Sequence, residues 1–388
     1  MATTQNPRPM LARQLYTVAA VASILARLPW WLVASVVPGL RPRRSWTVKA
    51  AFMTRLSRAG IDAQCNLGTT ATVSLEPGRE GDRFCVFGPF EDDVYVGPLA
   101  PRAAAADDGA AVIRPGKTGG TWYPRRPSDG GEPPKTVVMH VHGGGFVIGD
   151  SRNYCQHIAK TLLSVAKVDA VFCPEYRLSG YERTNPFPAA PQDVLTSYLY
   201  LTRTLSVPAE NIVLSGDSAG GNLGIGLLRY IARYGDSLGI KPPSSGILIS
   251  PWVNPWPETP GPEAQRYQSY RHYDVDFIPA SLLRWGSTVY GGGISGPEFR
   301  DNAYMSPAGK PFAAGVPLFV SFGDSEVLGD DIRDWAAAMS TVEGNEVETF
   351  VEKDGVHDIL VFGGLLGFDD AARDVAKAIA GFLARVRQ

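Results

Sequence analysis

The stretch Ile212-Val213-Leu214-Ser215-Gly216-Asp217-Ser218-Ala219-Gly220 decides how this 388-residue chain is read. A short, strand-like apolar run meets Gly-Asp-Ser-Ala-Gly, and a pattern of helical period continues from Ala219 to about residue 234. Strand, sharp turn, then helix is the context that gives G-x-S-x-G its meaning. The glycines let strand and helix cross closely, and the serine is held in a strained turn with its hydroxyl exposed. In a chain with 42 glycines the pentapeptide alone is a weak signal, so its position carries the argument.

The same rhythm extends outward from this elbow. Short apolar runs at 137–141, 170–173, 212–214, 247–249, 318–322 and 348–351 alternate with helical patterns near 153–165, 190–205, 219–234, 329–342 and 369–386. Buried strands separated by helices predict βαβ units, hence an α/β fold with a mostly parallel central sheet and helices on both faces. Residues 98–135, rich in Pro, Gly, Ala and Asp, read as loop around short strands such as 121–123. One excursion breaks the alternation. More than sixty residues, opening with the Pro-rich 251–262 and dense in Trp, Tyr and Phe, separate Ser250 from Pro317, which predicts an inserted cap. Trp285 and Tyr290 are the candidates within it for lining a pocket.

The chemistry follows from what a serine nucleophile needs. His142-Gly143-Gly144-Gly145-Phe146 directly follows the run 137–141, and its glycines leave backbone N–H groups free to face a ligand. With the N–H of Ala219, those of Gly143 and Gly144 form a candidate oxyanion hole. A phosphate loop is the rival reading, but the Gly-Lys-Ser/Thr ending is missing. Of five histidines, His140 and His142 belong to the glycine loop and His157 precedes the serine, whereas the acid and histidine should follow it in that order. His272 sits in the aromatic insertion. His357, just after the run 348–351 and before the last helical pattern, is the candidate base. The acid that orients it should lie in the loop after 318–322, where Asp330 and Asp331 read as first-turn helix acids and Asp324 and Glu326 stay open. No step of this chemistry calls for a metal or a cofactor.

Composition bounds the rest. With 44% hydrophobic and 20% charged residues the chain can bury a large core. Its 37 Lys plus Arg against 39 Asp plus Glu exclude a globally basic nucleic-acid binder. Cys65, Cys85, Cys155 and Cys173 have no C-x-x-C spacing and read as reduced or buried thiols, favouring a cytoplasmic home. The near-zero net charge hides an asymmetry: Arg8, Arg13, Arg27, Arg41, Arg43, Arg44, Lys49, Arg55 and Arg58 all precede the first acid, Asp62. Two apolar runs in this head, 15–26 and 28–37, are split by Arg27, and neither reaches the ~20 residues of a membrane-spanning helix. A cleaved signal peptide lacks its small-residue site, while a mitochondrial presequence would share the Arg-rich, acid-poor character. The expectation is helices packed on the protein's own body, in contact with a membrane surface through residues 10–45, with Arg41, Arg43 and Arg44 at the headgroups.

Together, His142 to Phe146, Gly216 to Gly220, and Tyr176-Arg177-Leu178 followed by Pro186-Phe187-Pro188-Ala189-Ala190 resemble the hormone-sensitive-lipase-like branch of the α/β-hydrolases, over roughly residues 115–388. The resemblance implies an α/β-hydrolase fold, a helical cap built from the N-terminal segment plus an insertion, and a serine esterase without cofactor. Its acid pattern D-x-L-x-D falls on Glu326-Val327-Leu328-Gly329-Asp330, which selects Glu326 over Asp324, with Glu in place of Asp. A second departure is Asp358-Ile359 after His357, where the family often has Gly-Phe. The implied organisation is a head (1–65), a first part of the catalytic core (66–250), a cap insertion (251–305) and a second part of the core (306–388). Ser218, His357 and Glu326 would then hydrolyse a small-to-medium acyl ester of an apolar small molecule. Acyl transfer to a substrate hydroxyl, or another non-hydrolytic reaction, is the main alternative. A small-molecule receptor is disfavoured by the histidine at 357. Residues 41–46 and 120–124 are similar to fungal members associated with secondary metabolism.

Overall fold

Strands that are apolar along their whole length must be covered on both faces, and the structure is built accordingly. The computed structural model describes residues 3–5, 9–71, 73–103, 112–127, 133–257 and 265–387. Arg8 and parts of the Pro-rich 251–262 and of the loop 98–135 lie outside these. The central sheet contains β1 (Phe84–Phe87), β2 (Thr118–Tyr123), β3 (Val137–Val141), β4 (Ala170–Glu175), β5 (Ile212–Asp217), β6 (Ser245–Ile249), β7 (Leu318–Gly323) and β8 (Val347–Glu352). Their order is β1-β2-β4-β3-β5-β6-β7-β8, with β1 and β2 antiparallel to their neighbours and every other pairing parallel. Strands β2 to β7 are buried at every residue, whereas the edge strand β8 is half exposed.

Helices α3 (Cys155–Val165), α4 (Ala189–Leu199), α5 (Ser218–Leu238) and α8 (Gly329–Ser340) connect the parallel strands, and α9 (Ile359–Leu366) and α10 (Asp369–Val386) close the chain. From β3 the path steps to β4 on one side and then returns to β5 on the other. Crossovers of one hand therefore set α3 and α4 on opposite faces. Helix α3 packs with α10, and α4 packs with α5. The reversal opens a crevice at the carboxyl ends of β3 and β5, where open α/β sheets bind their ligands.

The head corrects one expectation. Leu15 to Ala26 and Leu28 to Val37 are not two short helices but one, α1 (Met10–Val36), running through Arg27 and Pro29. Its 27 residues span about 40 Å at 1.5 Å each, and its apolar window has a mean hydropathy of 1.6, long and apolar enough to cross a membrane. It fully buries only Trp31, Ala34 and Ser35, and a half-buried stripe from Arg13 to Leu28 runs along one face. Arg27 is accommodated within the helix: Nε donates to the Ser23 carbonyl at 3.0 Å and the guanidinium lies over the Trp31 ring.

Helix α2 (Val48–Leu67) behaves differently. Thr47 caps its first turn, and it packs against α1, α9 and the insertion helix α6 (Ala280–Gly291). Arg58 donates to the carbonyls of Tyr273 and Asp276, the latter at 2.7 Å, and Asp62 accepts from Ser281 at 2.6 Å. Head and insertion thus meet through α2. Arg41 donates to the carbonyls of Ser35 and Trp46, and Arg43 donates to Ser325 Oγ at 2.9 Å. Both cations are turned inward, away from the headgroup role expected of them, and Arg44 alone of the three is exposed.

Candidate active site

Every polar group of the site is delivered by the carboxyl end of a strand or the loop after it. Ser218 follows β5 at φ +50°, a left-handed conformation that costs a non-glycine residue energy and is held by its surroundings. A Cβ on Gly220 would come within 2.0 Å of the Val141 carbonyl, so the close approach of α5 to β3 admits only glycine there. His357, after β8, has Nε2 at 2.9 Å from Ser218 Oγ and Nδ1 at 2.7 Å from Glu326 Oε1. Glu326, after β7, is fully buried, and its other oxygen accepts from Ser250 Oγ at 2.7 Å and from the Gly323 N–H at 3.0 Å. Asp324 points elsewhere, accepting from Ser325 Oγ at 2.9 Å and the Asp354 N–H at 2.8 Å. The structure therefore brings Ser218, His357 and Glu326 into one relay and leaves Asp324 outside it.

The electrostatics stabilise the imidazolium that forms when His357 takes up a proton. Burial works against charging His357, but the carboxylates of Asp358 and Glu326 outweigh it and hold its pKa well above the ordinary value. His142, by contrast, is pushed down by burial and is neutral; its ring stacks on Tyr176 and Nδ1 lies 2.8 Å from the Gly143 carbonyl.

The glycine loop carries a correction. The Gly143 N–H donates to Asp217 Oδ1 at 3.0 Å and is not free to face a ligand. Asp217 is fully buried and also accepts from Tyr154 at 2.7 Å, with His140 Nε2 at 3.1 Å. Burial alone would raise its pKa, yet these partners hold it below the ordinary value, so it stays ionised as a fixed acceptor. Gly144 and Gly145 instead line the cavity beside Ser218. Gly144 has φ +99°, and a Cβ there would meet the Ile148 carbonyl at 2.2 Å. Ala219 lies in the first turn of α5, where backbone N–H groups have no partner within the helix.

Ser218, His357, Asp358 and Tyr154 open onto a narrow cavity of about 50 Å³ whose other walls are apolar, among them Ile61 of α2, Ile148, Phe277, Leu282 and Phe362. Trp285 and Tyr290 are not in those walls. Trp285 stacks on Tyr181, while Tyr290 is fully buried with its ring 3.9 Å from that of Phe146. Among the described residues no group of three or more His, Cys, Asp or Glu side chains is arranged to hold a metal ion.

Two residues of the site carry no sequence signal. Asp276, from the insertion, accepts from the backbone N–H groups of Phe277 (2.6 Å), Val327 (2.8 Å) and His357 (3.3 Å). One carboxylate thus ties the loop bearing Glu326 to the loop bearing His357. Ser250, at the end of β6, donates to Glu326 and accepts from the Asp358 N–H at 3.1 Å. Neither lies in a motif, because both act on neighbours that only the fold brings close.

Comparison with known proteins agrees with this geometry. A family model described as alpha/beta hydrolase fold matches residues 138–361. The chain is 26% identical over 216 residues to an acetyl-hydrolase of Streptomyces hygroscopicus, a match covering 56% of this chain and 65% of that protein. It is 33% identical over 108 residues to mouse hormone-sensitive lipase, covering 26% of this chain and 13% of the lipase. The chain thus spans less than two thirds of the length of either relative. Among solved structures, a hormone-sensitive-lipase homologue from a metagenome library superposes with a TM-score of 0.58 at 21% identity, covering 87% of this chain and 97% of the other.

Proposed function

The chain belongs to the alpha/beta-hydrolase family, and from that membership and the site geometry we propose that it is a serine hydrolase of carboxylic esters. The observation that carries the reading is the buried relay from Ser218 through His357 to Glu326, with contacts of 2.9 and 2.7 Å. Ser218 Oγ attacks the ester carbonyl while His357 Nε2 takes its proton. Glu326 fixes the imidazole through Nδ1 and stabilises the imidazolium that forms. The tetrahedral oxyanion is held by the N–H groups of Gly144, Gly145 and Ala219. His357 then gives the proton to the leaving alcohol, and water attacking by the same route releases the acid.

The substrate we assign is a small-to-medium acyl ester of an apolar small molecule, an assignment supported by the aliphatic and aromatic walls of the cavity. The likeness of residues 41–46 and 120–124 to fungal esterases supports a secondary metabolite as that molecule. We further assign the enzyme to the cytoplasmic side of a membrane, attached through α1. Support comes from the exposed Leu15, Val18, Val21, Leu25, Trp30 and Leu32 on that helix and from the four free, buried cysteines.

The test is turnover of p-nitrophenyl acetate and butyrate by wild type and Ser218→Ala. The variant should lose about 10⁴-fold or more in kcat with its circular dichroism unchanged. Retention of most activity would remove Ser218 from the chemistry. Of the two carboxylate variants, Glu326→Ala and Asp324→Ala, the first should be the inactive one.

A further inference from the structure

Among the described residues, every buried carboxyl group but one has partners on both of its oxygens. Glu326, Asp217 and Asp276 each accept hydrogen bonds from at least two groups, and Asp193 is held by Arg177 at 2.8 Å. Asp358 is 1% exposed; its Oδ1 has no partner among the described residues, and its Oδ2 meets only His357 Nε2. A buried acceptor left unmatched is unfavourable, and such groups are found where a site needs them. The side chain lines the cavity beside Ser218. Its Oδ2 lies 3.2 Å from His357 Nε2, although that nitrogen is hydrogen-bonded to Ser218. The backbone is fitted to the purpose: Asp358 has φ +49° and starts α9, and its N–H is anchored on Ser250.

Position identifies what the group faces. His357 Nε2 is the atom that hands a proton to the departing alcohol, so a carboxyl group beside it and open to the cavity lies on the leaving-group side of the ester. Resting on the esterase reading above, we propose that Asp358 is the subsite for a hydroxyl of the alcohol portion of the substrate, carried on the carbon adjacent to the one that bears the ester oxygen. The substrate class is then a monoester of a vicinal diol whose remaining surface is apolar. A gauche vicinal oxygen lies about 2.9 Å from the ester oxygen, so one alcohol can reach Nε2 and Asp358 together. A hydroxyl fits better than an ammonium group. Burial and the nearby Asp217 push the Asp358 carboxyl well above its ordinary value, which favours a neutral partner over a cation.

The probes are 2-hydroxyethyl butyrate and propyl butyrate, equal in length and different in one hydroxyl. Wild type should prefer the hydroxy ester in kcat/KM by about tenfold or more, and Asp358→Gly, which suits the left-handed backbone, should reduce that preference to within about twofold. No preference in wild type, or the same preference in the variant, overturns the subsite. Calorimetric affinities of the Ser218→Ala protein separate this inference from the one it rests on. If neither ester is hydrolysed by wild type but the hydroxy ester still binds more tightly, the hydrolase reading falls and the subsite stands. Equal affinity for the two esters overturns the subsite.

Discussion

Residues 10–36 and 41–67 are neighbours in the chain, both mixing apolar residues with cations and with Asp62 as their only acid, yet they are built into the molecule in opposite ways. The first is a helix most of whose large apolar side chains face outward and whose fully buried residues are confined to its last turns. The second is fastened by polar contacts. Arg43 reaches Ser325, Trp46 Nε1 donates to the Asp354 carbonyl at 2.8 Å, Lys49 to that of Gly364 at 2.8 Å, and Arg58 to the insertion. The first segment is the more apolar and the second the more basic, and in the structure the difference shows in where the arginines spend their donors. Cations bonded to carbonyls and hydroxyls of another element are part of the enclosure of the site, and an apolar helix without such contacts is available to a lipid surface.

A pair of truncations tests that division, with the largest effect expected. Removing residues 1–67 takes away the α2 wall at Ile61 and its contacts with α6 and α9, and should abolish soluble, active protein. Removing residues 1–37 should leave kcat within about threefold while cutting co-sedimentation with anionic vesicles by about 10²-fold, since several exposed apolar side chains contribute about 1.5–3 kcal/mol each when buried. Loss of activity in the shorter truncation would make α1 part of the enclosure and erase the distinction.

The insertion supplies the next test, because Asp276 does for the catalytic loops from one side what residues 41–46 do from the other. Asp276→Asn exchanges an oxygen for an amide that opposes the Val327 or Phe277 N–H. The loss should be about 1–3 kcal/mol of stability and about 10–10²-fold in kcat, as His357 drifts from Ser218. The pH dependence has a definite sign. Burial, with Glu326 adding to it, raises the Asp276 pKa to about 6 against the pull of His357, so the folded state holds this proton more tightly than the unfolded chain. Its contribution to stability therefore falls as pH rises from about 4 to about 6. Urea titrations at pH 4 and pH 7 should differ less for Asp276→Asn than for wild type. An equal difference would take Asp276 out of the titration.

These contrasts also mark what the sequence could carry. The parallel strands were legible because each is a continuous apolar run bounded by helical periodicity, and Ser218 and His357 were legible as polar residues at the ends of such runs, whereas the choice of Glu326 over Asp324 came only from the family resemblance. The short edge strand β1 left no trace in an irregular stretch. Arg27 and Pro29 suggested a break in α1, but a helix can lose one N–H at proline, and the arginine stem runs along Trp31. Which glycine N–H groups are free depends on Asp217 turning back onto Gly143, a long-range contact that no local pattern encodes. Asp276 and Ser250 are further examples. Most of their partners belong to the distant Glu326 and His357 loops, and neither an aspartate in an insertion nor a serine at a strand end announces such contacts.

The smallest effect is expected where the second segment meets the acid loop. Arg43 Nε donates to Ser325 Oγ, Ser325 donates to Asp324, and Asp324 accepts the Asp354 N–H, so one polar chain crosses from the head through the Glu326 loop to the His357 loop. Arg43 is half-buried, which limits the contribution of that first bond to about 1 kcal/mol. Arg43→Ala should lower the melting temperature by about 2–4 °C and kcat by a few-fold, without changing vesicle binding. Asp324→Ala breaks the same chain further along, so the double variant should fall short of the sum of the two single losses by about 0.5 kcal/mol or more. Strict additivity would mean that the head and the catalytic loops are held by α2 packing alone, and that the polar contacts distinguishing residues 41–67 from α1 are incidental.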